Sequence, residues 1–181
     1  MNEADNTSAH VYAAASGNAF AFCIADSATG EITEKVGPLP LPAEYQTASS
    51  SAQAQFVVIQ ALKHLEARGD FSGRHALVFT DAEKMPTTWS DNKDAWRNGV
   101  DGFRLLSTRK PAKNPELWAE TLAIYTRAAF TFDLAFVSLK RTIFKAGLKF
   151  KVANNASDAL KMRVAKALAQ SYVTPVKAEA A

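Results

Sequence analysis

The sequence predicts an α/β domain built on a mixed five-stranded sheet, its first three strands antiparallel, with helices on both faces. Three observations carry this. Short apolar runs between Val11 and Val36 are separated by turn residues, the pattern of an antiparallel meander. From Ser49 onward, helical spacing alternates with apolar strand runs, which adds parallel neighbours to that meander. The stretch Lys110–Trp118, KPAKNPELW, holds a full set of helix-start residues.

Composition agrees. The chain has 181 residues, 48% hydrophobic and 22% charged, which suits one domain with a real core and argues against global disorder. No apolar run is long enough for a membrane span, and MNEADNTSAH lacks the basic and apolar regions of a secretory signal. A single cysteine, Cys23, cannot pair within the chain and is expected as a small buried hydrophobe. These features predict a cytoplasmic protein with no membrane partner. The expected organisation is a flexible N-terminus over 1–9, one domain over 10–172 and a flexible tail over 173–181.

The elements follow in order. Val11–Ala15 reads as a strand closed by the Ser16-Gly17-Asn18 turn, and Ala19–Ala25 as a second, with Phe20 and Phe22. After a turn over Asp26–Gly30, Glu31–Val36 is the third. Gly37–Tyr45, GPLPLPAEY, carries three prolines and is expected as a linker. Ser49-Ser50-Ser51 caps a helix whose apolar spacing is Phe56, Ile59, Leu62 and Leu65, ending near Gly69. His75–Thr80 is a continuous apolar run, a buried strand that ends in Asp81. The next stretch is irregular, and its Trp89, Trp96 and Phe103 are either core cover or a partner surface. Asn114 as N-cap, Pro115 at the first helical position and Glu116 in the first turn then start a helix through Leu117, Trp118, Leu122 and Tyr125. Phe130–Leu139 is the fifth strand and Ser157–Ser171 the last helix.

Net charge is only +3, which permits nucleic-acid binding without requiring it. Its distribution is uneven. Residues 140–166 hold Lys140, Arg141, Lys145, Lys149, Lys151, Lys161, Arg163 and Lys166, against Asp158 as the only acid. This is either a solvated basic face or a surface that follows a phosphate backbone.

Three stretches point to a family: Val78–Glu83 (VFTDAE), Lys110–Trp118 (KPAKNPELW) and Asn154–Ala169 (NNASDALKMRVAKALA). Together with the order of elements, they resemble the ribonuclease H type 1 family from about Val11 to Ala169. The resemblance implies a ribonuclease H-like fold, with Val11–Ala15 central and beside His75–Thr80. It also implies cleavage of the RNA strand of an RNA–DNA hybrid by two divalent ions, magnesium or manganese, held by four carboxylates. Hard cations need such oxygen donors to be neutralised and fixed.

Carried over by position, the family's first-strand Asp falls on Ala14 and its helix Glu on Ala54; a shift of one places Gln53 or Gln55 there, and neither is a carboxylate. Its strand-end Asp is Asp81 and its last-helix Asp is Asp158. The family's loop His has no counterpart, because Ser138-Leu139-Lys140-Arg141 stands there. Ala14, Ala54, Asp81 and Asp158 thus form a remnant catalytic set, with Asp81 and Asp158 expected to hold one magnesium or manganese ion weakly or not at all. Without the family, Asp81 is a strand-end turn residue and Asp158 a first-turn charge favoured by the helix dipole. Either the acids were lost naturally or they were replaced to abolish cleavage.

The expectation is a non-cutting domain that binds an RNA–DNA hybrid, a related nucleic acid or a protein. Its candidate nucleic-acid contacts are Ser16, Gly17, Asn18, Ser50, Ser51, Lys110 and Lys113, because equivalent regions of the family touch sugar hydroxyls and phosphates. Two rivals stand beside this reading. One is an active hybrid endoribonuclease whose parent carries the acids, or in which Asp26 or Asp133 replaces one. The other is a protein-interaction scaffold with no nucleic-acid role.

Overall fold

The computed structural model describes residues 8–17, 19–39, 50–99, 101–139 and 156–172. Five strands, β1 (Ser8–Ser16), β2 (Ala19–Asp26), β3 (Ile32–Pro38), β4 (His75–Thr80) and β5 (Thr131–Phe136), form one sheet in the order β3-β2-β1-β4-β5. β1, β2 and β3 pair antiparallel, while β4 runs parallel to both β1 and β5. Four helices flank the sheet: α1 (Ser50–Ala67), α2 (Met85–Arg97), α3 (Pro115–Arg127) and α4 (Ala156–Ser171). The expected mixed sheet is present, with β1 central and beside β4.

β1 is central because both of its faces are apolar. Ala9, Val11, Ala13 and Ala15 enter the core shared with α1 and α3, while Tyr12 and Ala14 enter a second core under α4 with Met162 and Ala165. Alternation along a strand puts successive side chains on opposite faces, so this one strand floors both cores. The three alanines let both helix layers come close. Cys23 is buried in the α4 core, as expected for a small hydrophobe.

Several elements differ from expectation. β1 starts at Ser8, inside the segment assigned to the flexible N-terminus. β3 runs on through Pro38, because it is an edge strand and a missing N–H costs nothing on its open side. Within β3, a Cβ on Gly37 would meet the Phe20 ring at 3.1 Å. β5 stops at Phe136, short of Leu139. Asn114 does sit before α3, but with φ 56° and no side-chain cap bond, a left-handed conformation that Asn tolerates.

The stretch expected to be irregular contains α2. Its Trp89, Asn92 and Trp96 are buried at helical spacing. Trp89 stacks on Phe132 and Trp118, with ring centroids 5.4 and 6.1 Å apart, so the tryptophans are core and not a partner surface. Of the basic residues over 140–166, Lys140, Arg141, Lys145, Lys149 and Lys151 lie outside the described residues. Among the described residues no helix is long and apolar enough to cross a membrane.

Candidate functional site

β1 and β4 run parallel with Ala13 opposite Thr80, so their C-terminal ends emerge together and Ala14 stands next to Asp81. The carboxyl ends of strands in an open α/β sheet form a natural crevice for ligands. Ala14 is fully buried and offers only a methyl group.

α4 crosses this end of the sheet and brings two charged side chains to it. Asp158, in the first turn, accepts a 2.6 Å hydrogen bond from the Tyr12 hydroxyl. The Tyr12 ring stacks on Phe79 at 4.9 Å, and the Lys161 ammonium lies 5.6 Å from its centroid. Burial, and then the bond to Asp158, push the Tyr12 hydroxyl well above its ordinary pKa of 10.0. Eight residues along the same helix, the Lys166 ammonium donates to the Ala15 carbonyl at 2.5 Å and lies 3.5 Å from an Asp81 carboxylate oxygen.

Eight residues of helix rise by about 12 Å along the backbone, and Asp158 and Lys166 each make their own bond to the sheet. Asp81 and Asp158 therefore belong to one helix–sheet seam but have different partners inside the chain. The one ion they were expected to share would have to compete with Lys166 for the first and with Tyr12 for the second.

On the other side of Asp81 a cleft of about 470 Å³ opens between α1, the β4–α2 connection and the start of α3. Its lining includes Ser51, Gln55, Asp81, Glu83, Lys113 and Trp118. Ser51 and Gln55 are four residues apart and share the helix face that meets the cleft. Ala54 instead packs into the α1 core at 4% exposure. Gln55 is buried too, and its Nε2 has no hydrogen-bond partner among the described residues. The α1 side chains that share the cleft lining with Asp81 are thus Ser51 and Gln55, the latter a neighbour of the position chosen from sequence.

The fold brings Ser51 and Lys113, far apart in the chain, into this one cleft. Lys110 is exposed on the turn leading to Lys113, Gly17 is exposed beyond β1, and Ser16 is half-buried. Asn18 and the Ser50 side chain lie outside the described residues.

Neither substitute acid reaches the site. Asp26 pairs with Ala9, five residues and about 17 Å of strand from Ala14, and is bound there by Arg74 and Arg68. Asp133 sits on β5, bonded to Lys93 at 3.0 Å. The donors present do not make up a two-ion site. Ala14 and Ala54 have no oxygen to give, Asp81 and Asp158 are engaged by Lys166 and Tyr12, and among the described residues no group of three His, Cys, Asp or Glu gathers as a metal requires.

Sequence reasoning did not single out Tyr12, had Gln55 only as a one-residue shift from Ala54, and had Lys166 only as one of the basic residues over 140–166.

No family model matches the chain, and no curated protein matches it. Solved structures do. A foamy viral protease-reverse transcriptase in complex with double-stranded DNA is 16% identical, with 91% of this chain and 96% of that one covered at a TM-score of 0.48. The solution structure of the PFV ribonuclease H domain is 16% identical, with 90% of each chain covered at a TM-score of 0.49. The strand order and run of elements in this chain are ribonuclease H-like, as the resemblance of its sequence motifs implies.

Proposed function

We propose that this chain is a ribonuclease H-like module that does not cut and that binds nucleic acid, with an RNA–DNA hybrid as the first partner to test. The observation that carries the first half is Ala14: the central position beside Asp81 is a buried methyl, and the nearest charge to Asp81 is a lysine. Hybrid cleavage by the two-ion route needs negative charge there to hold positive ions, and the one carboxylate present is already paired with Lys166.

The second half is supported by the cleft. Ser51, Gln55 and Asn114 offer hydrogen bonds, Lys84 and Lys113 offer charge, and Trp118 adds an apolar wall. Hydroxyl and amide groups flanked by lysines suit sugar edges and phosphates better than an apolar protein patch. Asp81 and Glu83 in the same lining keep the cleft from being a uniform anion trap.

The test is fluorescence anisotropy of a labelled RNA–DNA hybrid against a salt series, with duplex RNA, duplex DNA and single strands in parallel. Binding that weakens steeply with salt, and that Lys113→Ala reduces together with the slope, supports the reading. No binding of any nucleic acid at low salt refutes it and leaves the protein-interaction scaffold. Magnesium-dependent cleavage of the hybrid refutes the non-cutting half.

A further inference from the structure

We propose that Lys166 is the built-in cation of this site: its ammonium, held by Asp81 and the Ala15 carbonyl, does the neutralising that a divalent ion would otherwise do, so the seam between α4 and the sheet is complete without metal. Three features of the structure carry this. The first is position. Lys166 meets a carboxylate at the end of β4 and a backbone carbonyl at the end of β1, two oxygens from two parallel strands, as a hard cation would. The second is the neighbour. Ala14 is fully buried between these anchors in the β1–β4 register and brings no charge, so a single ammonium balances the one carboxylate there. The third is Asp158. The other surviving acid accepts a hydrogen bond from the neutral Tyr12 hydroxyl and makes no ion pair with Lys166 among the described residues, so the ammonium is left to Asp81.

Lys166 is tethered, so its local concentration at Asp81 is always high, whereas a free ion must be captured from solution. A divalent ion entering beside Asp81 would meet like charge at contact distance. The lysine therefore fills the site and also excludes its competitor.

The test uses the full chain and its Lys166→Met and Lys166→Met/Asp81→Asn variants. Thermal melting is followed in EDTA and in magnesium or manganese, and manganese uptake by the loss of the free-ion electron paramagnetic resonance signal. The unmodified chain should melt at the same temperature in both buffers and take up no manganese. Lys166→Met should melt lower in EDTA, recover on adding manganese, and take the ion up, because Asp81 is then unpaired. The double variant should lose both the deficit and the response.

If Lys166→Met does not fold in EDTA, folding regained with manganese, or in the double variant without it, supports the proposal, and folding regained in neither overturns it. Manganese uptake by the unmodified chain that Asp81→Asn abolishes would overturn it. So would a Lys166→Met variant as stable as the parent and indifferent to divalent ions. No arm measures nucleic-acid binding, so the result stands apart from the reading proposed above.

Discussion

The Lys166 ammonium lies 3.5 Å from the Asp81 carboxylate, although the two residues are 85 positions apart, one on α4 and the other just past β4. Their side chains are 31% and 24% exposed, so the pair is screened only in part. It closes the crevice at the ends of β1 and β4 from the α4 side and leaves the cleft toward Gln55 open on the other. Asp81 is therefore the hinge of two environments: an ion pair within the chain, and the floor of a cavity that a ligand can enter.

Tyr12→Phe tests the second internal bond. Removing the hydroxyl keeps the ring stacked on Phe79 and leaves Asp158 without its donor, a loss of about 1.5 kcal/mol by urea unfolding at neutral pH. The pH dependence has a definite sign. The folded pKa of Tyr12 lies above the ordinary 10.0, so its contribution is complete below pH 10 and is lost as pH rises and the unfolded chain ionises. Stability of the parent should fall above pH 10 more steeply than that of Tyr12→Phe. Parallel curves would refute the bond.

Asp26→Asn should be the more damaging change. Its carboxylate is 1% exposed and bonded to Arg74 at 2.5 and 3.0 Å and to Arg68 at 3.3 Å. The Arg74 bond outweighs burial and holds the carboxyl at about 2, below its ordinary 3.8. A depressed pKa gives stability that is present above pH 3.8 and lost as pH falls toward 2. Breaking this pair should cost about 3 kcal/mol at pH 7, because Arg74 and Arg68 lose their buried partner while Arg68 keeps Asp70. Urea melts at pH 7 and an acid titration check both, and the Asp26→Asn chain should lose less stability between pH 4 and pH 2 than the parent does.

Gln55→Met should stabilise. The buried amide leaves Nε2 without a partner among the described residues, and an unsatisfied buried donor carries a desolvation cost. Methionine keeps the length of the side chain and removes that cost, for a gain of about 1 kcal/mol in urea unfolding. If the amide serves the cleft, hybrid binding measured on the same variant should weaken while stability rises. A variant less stable than the parent would refute the expected gain.

What could be read in advance divides along a physical line. Strands β1, β2 and β4 were legible because apolar runs bounded by turn residues depend on neighbours a few positions away, and α3 was legible from Asn114-Pro115-Glu116. α2 was not: Lys84 makes no side-chain cap bond, Pro86 sits in the first turn, and its polar residues mask the Trp89–Trp96 face. The family positions led to Ala14 and Asp81, and the structure sets these side by side. The choice of Ala54 over Gln55, and the pairing of Lys166, could not be read in advance, because the facing of one helix residue against its neighbour, and a bond spanning 85 positions, are decided by how α1 and α4 settle on the sheet.

The last prediction concerns restoring activity. The unmodified chain should show no magnesium- or manganese-dependent cleavage of a labelled RNA–DNA hybrid above background. Replacing Ala14→Asp and Ala54→Glu together should not restore it. Both positions are buried, Ala54 within the α1 core, so the pair puts two carboxylates into apolar surroundings and should lower stability by several kcal/mol, on the order of what unpaired buried polar groups cost. Ala14→Asp with Gln55→Glu instead replaces a buried polar side chain of the same length that already lines the cleft, so it adds no volume to the α1 core and should fold better. It should still be silent while Lys166 remains. A divalent ion about 4 Å from an ammonium is repelled by about 8 kcal/mol at an effective dielectric constant near 20. Only the triple change, Ala14→Asp, Gln55→Glu and Lys166→Met, removes that repulsion and supplies charge to hold an ion. Cleavage appearing in the triple variant alone would locate the block at Lys166. Cleavage in Ala14→Asp/Ala54→Glu with Lys166 intact would refute the lysine's role. Robust cleavage by the unmodified chain, abolished in Asp81→Asn, would end the reading of this chain as a module that does not cut.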